Sequence, residues 1–367
     1  MKKIKLLANK IFLWILYLFI LLILINIPVN YLISQKNFPN FTNKFTFKEV
    51  HTLIAPDLQK ESKINYLFIG DSYAQGAGDS YLNGDYNYSI PHRFSNEGIN
   101  SINAGLGGAS NLSAVLYAIQ MAKVFEFSPF LDDFPKFDKV FVFFYEGNDL
   151  NNNLRHLNKN HLDEYETNKI KKSVNPSIWT LIKQGYFYGA NFLRVNIHRP
   201  IKKIWDDLRG KESKNLLVNN IKINGKTYKT KHLQSAALEL SDNELKNSFG
   251  ILKKSLKLAK NNFKSDDYYL IYIPSPVTTY SFSTKEFVIQ TYQDGRKNIP
   301  STLNLLRSNF LRKNIKKIAE NENFNFIDST ESLIRKAKTE PIHGPVDWSH
   351  LNQLGYDQLF TYIKSKI

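Results

Sequence analysis

Three side chains in this sequence stand where acyl-transfer chemistry would need them. Ser72 follows an apolar run in NYLFIGDSYAQGAGDS (65–80) and is hemmed by Gly70, Gly76 and Gly78. A serine hydroxyl is a weak nucleophile until a base takes its proton, and that base is usually a histidine oriented by a third group. His350, in VDWSHLNQLGYDQL, comes three residues after Asp347. On a tight turn that spacing directs the carboxylate to the imidazole Nδ1 and leaves Nε2 facing the serine. Donors aimed at the developing oxyanion are also required. SINAGLGGASN, with Gly105, Gly107 and Gly108, and FYEGNDLNNN, with Gly147, Asn148 and Asp149, are the candidate sources. Singly, each segment reads as ordinary structure, because Gly-Asp-Ser and glycine clusters are turn sequences and Asn-Asp is a common cap. The backbone N–H groups of Ser72 and Gly108 and the side-chain amide of Asn148 converge only if three loops share one edge of a sheet.

The surrounding pattern supplies such an edge. Ser72 follows an expected strand at 64–69, and a second strand is expected near 99–103, followed by a helix over 111–125. KVFVFFY (139–145) is a continuous apolar run, as a strand buried on both faces requires. Residues 151–240 break the rhythm and read as an insertion or cap. They are rich in Asn and Lys, dotted with aromatics that include Trp179, Tyr186, Phe187, Tyr188 and Trp205, and hold a possible hairpin around Asn224-Gly225. Regularity returns with a helix capped by Ser241 and running to about 263, with Asp242 and Glu244 in its first turn. A strand at 268–273, a helix at 301–320, a short strand at 325–327 and a helix at 352–364 complete the series. Alternating strands and helices predict a parallel sheet covered on both faces, and ligands bind at the carboxyl ends of its strands.

The ordered blocks GDS (70–72), N-x-G-x-x-G (103–108), GND (147–149) and D-x-x-H (347–350) together resemble the SGNH or GDSL hydrolase superfamily. The likeness runs from about residue 64 to the C-terminus, outside the insertion. It implies a flavodoxin-like three-layer α/β/α sandwich with a five-stranded parallel sheet in the order 2-1-3-4-5. It also implies Ser72 as nucleophile, His350 as general base and then acid, Asp347 as the orienting carboxylate, and Ser72, Gly108 and Asn148 as oxyanion donors, with no cofactor or metal. The chain departs from the family's naming pattern at Tyr73, where leucine is usual, a change read here as one of packing. Ala74 replaces the last glycine of a G-x-S-x-G elbow, which disfavours the α/β-hydrolases. His156 and His161, five residues apart, do not form a zinc signature.

Composition bounds the setting. The 367 residues contain no cysteine, which excludes disulfides, thiol nucleophiles and thiolate metal sites. Lys and Arg exceed Asp and Glu by 49 to 33, for a formal charge of +16. The lysines are scattered, and no arginine-rich tract or RNP-like pattern points to nucleic acid. Lys2, Lys3, Lys5 and Lys10 precede IFLWILYLFILLILI (11–25), which continues less purely to Ile33. About 20 helical residues cross a bilayer core, so residues 1–35 are expected to be a cytoplasmic tip and a transmembrane signal anchor. No small-residue cleavage site follows. Residues 36–62 read as a linker, and 63–367 as the catalytic domain, held by the positive-inside rule on the periplasmic or extracellular side. The expected activity is that of a serine-dependent esterase or O-acyltransferase acting on acyl groups, acetyl above all, of an envelope or extracellular carbohydrate, with a membrane acyl-donor partner left open. The alternatives are a lipase or lysophospholipase, and a non-catalytic envelope assembly protein with the same fold.

Overall fold

The computed structural model describes residues 64–82, 88–127, 136–158, 218–290 and 296–367, together with isolated positions between 10 and 21. Its elements are β1 (Asn65–Gly70), α1 (Ser72–Gln75), α2 (Asp79–Leu82), α3 (Ile90–Asn96), β2 (Asn100–Gly105), α4 (Asn111–Phe127), β3 (Phe137–Tyr145), α5 (Asp149–Asn158), β4 (Asn219–Ile223), β5 (Lys226–Thr230), α6 (Asp242–Asn262), β6 (Ser265–Ile273), α7 (Pro276–Thr279), β7 (Ser281–Phe282), β8 (Glu286–Gln290), β9 (Arg296–Pro300), α8 (Ser301–Asn321), β10 (Asn325–Asp328), α9 (Thr330–Thr339) and α10 (Gln353–Lys364).

Five strands pair in parallel in the order β2-β1-β3-β6-β10, which along the chain is the expected 2-1-3-4-5. The order reverses between β1 and β3, so the loops after β1, β2 and β3 open at one edge, where binding crevices form in such sheets. Alternate strand residues enter opposite layers. Leu67, Ile69, Val140, Val142 and Leu270 pack under α4, α5, α6 and α8. Tyr66, Phe68, Phe141, Phe143 and Ile271 pack under α3, α9 and α10. Burial on both faces explains why these strands read as unbroken apolar runs. On the second face a row of rings crosses the sheet: Phe68 stacks on Phe141 at 4.8 Å and Phe141 on Tyr269 at 5.1 Å.

Local signals account for several boundaries. Ser241 accepts from the Glu244 N–H, and Glu244 accepts from the Ser241 N–H at 2.9 Å, a reciprocal capping box at the start of α6. The Asn224-Gly225 turn joins β4 to β5, and β4 also pairs with β7 to form a small antiparallel sheet. Elements beyond those read from the sequence include α3, α9 and the antiparallel pair β8 and β9. The expected insertion at 151–240 is described only at its ends, and Trp179, Tyr186, Phe187, Tyr188, Trp205 and His161 lie outside the described residues. The same holds for the linker and most of the expected membrane span, of which Leu13, Trp14, Leu16–Leu18, Ile20 and Leu21 are helical and exposed. Among the described residues, no helix is long and apolar enough to cross a membrane.

The ring row gives a stability prediction. Phe68 has no exposed surface, and truncating such a buried aromatic costs about 3–5 kcal/mol. Phe68→Ala should lower unfolding free energy by that amount in a denaturant titration, against about 1 kcal/mol for loss of the α6 cap in Ser241→Ala.

Candidate active site

The site is built at the carboxyl ends of β1, β2 and β3. β1 stops at Gly70, opposite Gly105 of β2. Asp71 then caps the single turn α1, its Oδ1 accepting the Tyr73 N–H at 2.9 Å. Ser72 is the first helical residue, so its own N–H is one of the donors that a helix start leaves without an intrahelical partner. Burial pushes the Asp71 carboxyl up, partly offset by the Tyr73 N–H, the charge of His350 and bonds from the Ser72 and Asn148 side chains.

The loop between α9 and α10 carries the partner groups. His350 Nε2 lies 2.8 Å from Ser72 Oγ, and His350 Nδ1 lies 2.6 Å from Asp347 Oδ2. We assign the proton between His350 and Asp347 to Nδ1, which leaves Nε2 to accept the Ser72 hydroxyl. Ser72 Oγ is also 3.2 Å from Asp71 Oδ2. A hydroxyl has one proton, and the shorter contact is with the imidazole. Asp347 Oδ1 accepts the Ser349 N–H at 2.9 Å. Burial by itself would raise the Asp347 carboxyl, but the hydrogen bond and charge of His350, with the Ser349 N–H, hold it below the usual carboxylate range.

A residue not singled out in the sequence ties the two loops together. The Asp79 carboxylate accepts the Val346 N–H at 3.1 Å and the Asp347 N–H at 2.6 Å. Beside it the backbones nearly touch: a Cβ on Gly78 would lie 2.2 Å from the Leu351 carbonyl oxygen, and Gly78 has φ +146°, so only glycine fits. Tyr356 of α10 closes the same seam by donating to the Ala77 carbonyl at 2.8 Å. Asp79 follows glycines in an unremarkable turn, and no local signal foretells a contact 268 residues away.

The candidate oxyanion loops are fixed mainly by amides. Asn103 Oδ1 accepts the Gly105 N–H at 2.9 Å. Gly108 lies in the exposed turn before α4, with open space where a side chain would project, and no described hydrogen bond joins it to Ser72 or His350. The Asn148 side chain bonds to Asp71. An amide nitrogen carries two protons and can donate to a second acceptor. Asp149 Oδ2 accepts from the Tyr145 N–H and Asn111 Nδ2, both at 2.9 Å, and burial followed by the nearby charge of Asp71 drives its carboxyl well up. Glu146, fully buried, was also unread in the sequence. It accepts from the Tyr272 hydroxyl (2.8 Å), the Ser275 N–H (2.7 Å), Ser275 Oγ (2.8 Å) and Thr278 Oγ1 (2.6 Å), pinning the 147–149 turn to the end of β6. The structure thus brings Ser72, Asp347 and His350 into direct contact, and Asn148 to their neighbour Asp71. Gly108 shares the edge without touching them.

No family model and no curated protein matches the chain. Among solved structures it is similar to an extracellular lipase from Streptomyces rimosus (11% identity, TM-score 0.44, 83% of this chain and 100% of that one). It is also similar to phospholipase A1 from Streptomyces albidoflavus NA297 (13%, 0.40, 83% and 100%). A third is Est24, a carbohydrate acetylesterase from Sinorhizobium meliloti (12%, 0.37, 83% and 98%).

One histidine behind the site titrates in a way that can be measured. His343 is buried, its Nδ1 3.0 Å from the Tyr280 hydroxyl, and burial lowers its pKa to about 3, against a partial upward pull from Asp347 and a downward one from His350. The unfolded chain binds this proton near pH 6.5 and the folded chain only near 3, so acidification through that window favours unfolding by on the order of 1 kcal/mol per pH unit. Denaturant titrations from pH 7 to pH 4 should show that slope, and His343→Gln should flatten it.

Proposed function

We propose that this chain is a serine-dependent acyl-transfer enzyme acting on ester bonds. The observation that carries the reading is the continuous chain of contacts from Ser72 Oγ to His350 Nε2 at 2.8 Å and from His350 Nδ1 to Asp347 Oδ2 at 2.6 Å. In the first half-reaction Ser72 Oγ bonds to the ester carbonyl carbon as its proton passes to His350 Nε2. The imidazolium is stabilised by the Asp347 carboxylate. The carbonyl oxygen takes the negative charge and is met by the N–H groups of Ser72 and Gly108 and by the side-chain amide of Asn148. Collapse breaks the bond to the alcohol oxygen, which leaves with the proton from His350. Water or a second hydroxyl then gives its proton to His350 and attacks the acyl carbon, and collapse breaks the bond to Ser72 Oγ, which takes the proton back from His350. The two outcomes are hydrolysis and O-acyl transfer.

For substrate, our reading is an acylated carbohydrate at the outer side of the cytoplasmic membrane, with the N-terminal segment as anchor. The support is the exposed turn at Gly107 and Gly108, bordered by the half-buried Gln75, whose Oε1 a Cβ on Gly107 would meet at 2.5 Å, with the half-buried Asn148 on the neighbouring loop. The lysine-flanked apolar run at residues 11–33 and the net positive charge support the location.

The full chain in detergent should take up one fluorophosphonate adduct by intact mass, and Ser72→Ala should take up none. His350→Ala should slow labelling by about 10³-fold or more, and Asn148→Ala should cut ester turnover by about 10²- to 10³-fold. Labelling of the parent and Ser72→Ala alike, or of neither, would sink the assignment. A preference for aryl acetate over long-chain aryl esters supports the carbohydrate-ester reading, whereas the reverse order favours a lipase.

A further inference from the structure

The residue after the proposed nucleophile is tyrosine where the resembled pattern has leucine, and its hydroxyl has a partner. Tyr73 is completely buried, and its hydroxyl donates to the Ser349 carbonyl at 2.9 Å. Tyr145, at the end of β3 and equally buried, donates to the same carbonyl at 3.0 Å. The two rings are 4.1 Å apart, and the Tyr73 ring is 5.4 Å from the His350 ring. Two phenols, one from α1 just after β1 and one from the end of the neighbouring β3, therefore occupy both lone pairs of one oxygen.

That oxygen has a particular place. The Ser349 carbonyl and the His350 nitrogen belong to one planar peptide unit. Fixing the carbonyl direction fixes the plane from which the His350 side chain departs. The other side of Ser349 is held as well, since its N–H donates to Asp347 Oδ1. Tyr145 reaches a second part of the site: a Cβ on Gly147 would lie 2.4 Å from its ring. The ring thus covers the turn that presents Asn148.

We propose that Tyr73 and Tyr145 are positioning residues that jointly aim His350 at Ser72 through the Ser349 carbonyl, a role that rests on Ser72 being the nucleophile. If the two rings only filled space, phenylalanine would serve as well as tyrosine. In the proposed role the hydroxyls act as a pair. With one gone, the other still holds the carbonyl. With both gone, the half-buried Ser349 carbonyl has no donor, and the peptide turns toward water and takes the imidazole with it. A displacement of about 1 Å in a reacting group is enough to cost on the order of 10²-fold in rate.

The test uses the full chain in detergent, comparing the parent with Tyr73→Phe, Tyr145→Phe and the double variant. Two quantities are read: the second-order rate of fluorophosphonate labelling, and the far-downfield proton resonance of His350 Nδ1–H. Each single variant should slow labelling by about 3-fold and shift the resonance. The double variant should slow labelling by about 10²-fold, well beyond the product of the singles, and broaden or abolish the resonance. Labelling of the double variant within about 3-fold of the parent overturns the proposal, as does a slower rate with an unmoved resonance. If circular dichroism shows that the double variant does not fold, the single variants decide: a shifted resonance with slower labelling in either supports the role, and no change in both overturns it. A parent chain that takes no label sinks the nucleophile assignment and this role together, whereas a labelled parent with equally labelled variants sinks only the tyrosine role.

Discussion

The contact between Ser72 Oγ and His350 Nε2 joins residues 278 positions apart, and no local propensity favours it. It exists because a parallel sheet delivers the carboxyl ends of all its strands to one edge. β1 brings the serine there. β2 and β3 deliver the glycine and amide loops, and the chain after β10 returns across α9 to set the histidine loop beside them. A slip of one residue in the pairing of β1 with β3 would move every inward side chain of β1 to the opposite layer. Large aromatics on one face, Phe68 against Phe141, and aliphatics on the other, Leu67 and Ile69, make such a slip costly. Catalytic geometry and core packing are therefore fixed by the same register.

The edge is crowded with carboxylates, and it is stabilised largely without lysine or arginine. Glu146 is met by three hydroxyls and an N–H, Asp149 by an N–H and an amide, and Asp71 by an N–H and an amide. Neutral donors have fixed directions and bring no long flexible stem, so they hold a loop where an ion pair would only attract it. The formal charge of +16 thus says little about the site. Like charges within the cluster do matter: the charge of Asp71 adds to burial in raising the Asp149 carboxyl.

Much of this was readable from the chain, and the misses have two causes, a weak local pattern and partners distant in sequence. Strands at 139–145 and 268–273 announced themselves through continuous apolar runs, and the structure extends each at its start by two or three residues. Ser241 with Glu244, and Asn224-Gly225, are local signals whose physics is complete within four residues, and both formed as read. The helix α9 was missed because Leu333, Ile334 and Ala337 are a thin apolar stripe among lysines and threonines. Asp79 and Glu146 were missed because their meaning lies in partners that the fold alone assembles. Tyr73 is the instructive middle case. Its departure from leucine was visible, but reading it as packing gave no role to a hydroxyl that finds an acceptor 276 residues away.

A serine on a helix start and a histidine on a loop set different demands. Ser72 inherits its position from β1, whereas His350 sits in a loop whose neck must be tied by other means. Asn352 does part of this, capping α10 through the Gly355 N–H at 3.2 Å while its Nδ2 donates to the Pro341 and Gly344 carbonyls at 2.9 and 3.3 Å. The Asn352 N–H also donates to the Ile342 carbonyl, and His343 bridges Leu351, so the loop is closed at its base. A loop closed at its base can still rock about that neck, and its tip carries Asp347 and His350. The contacts that oppose such rocking come from the strands and turns beside it, with Asp79 on the amides of Val346 and Asp347 and the two tyrosines on Ser349. The Asp347 and His350 pair therefore owes its alignment to the Ser72 side of the site, which makes the serine loop and the histidine loop one mechanical unit.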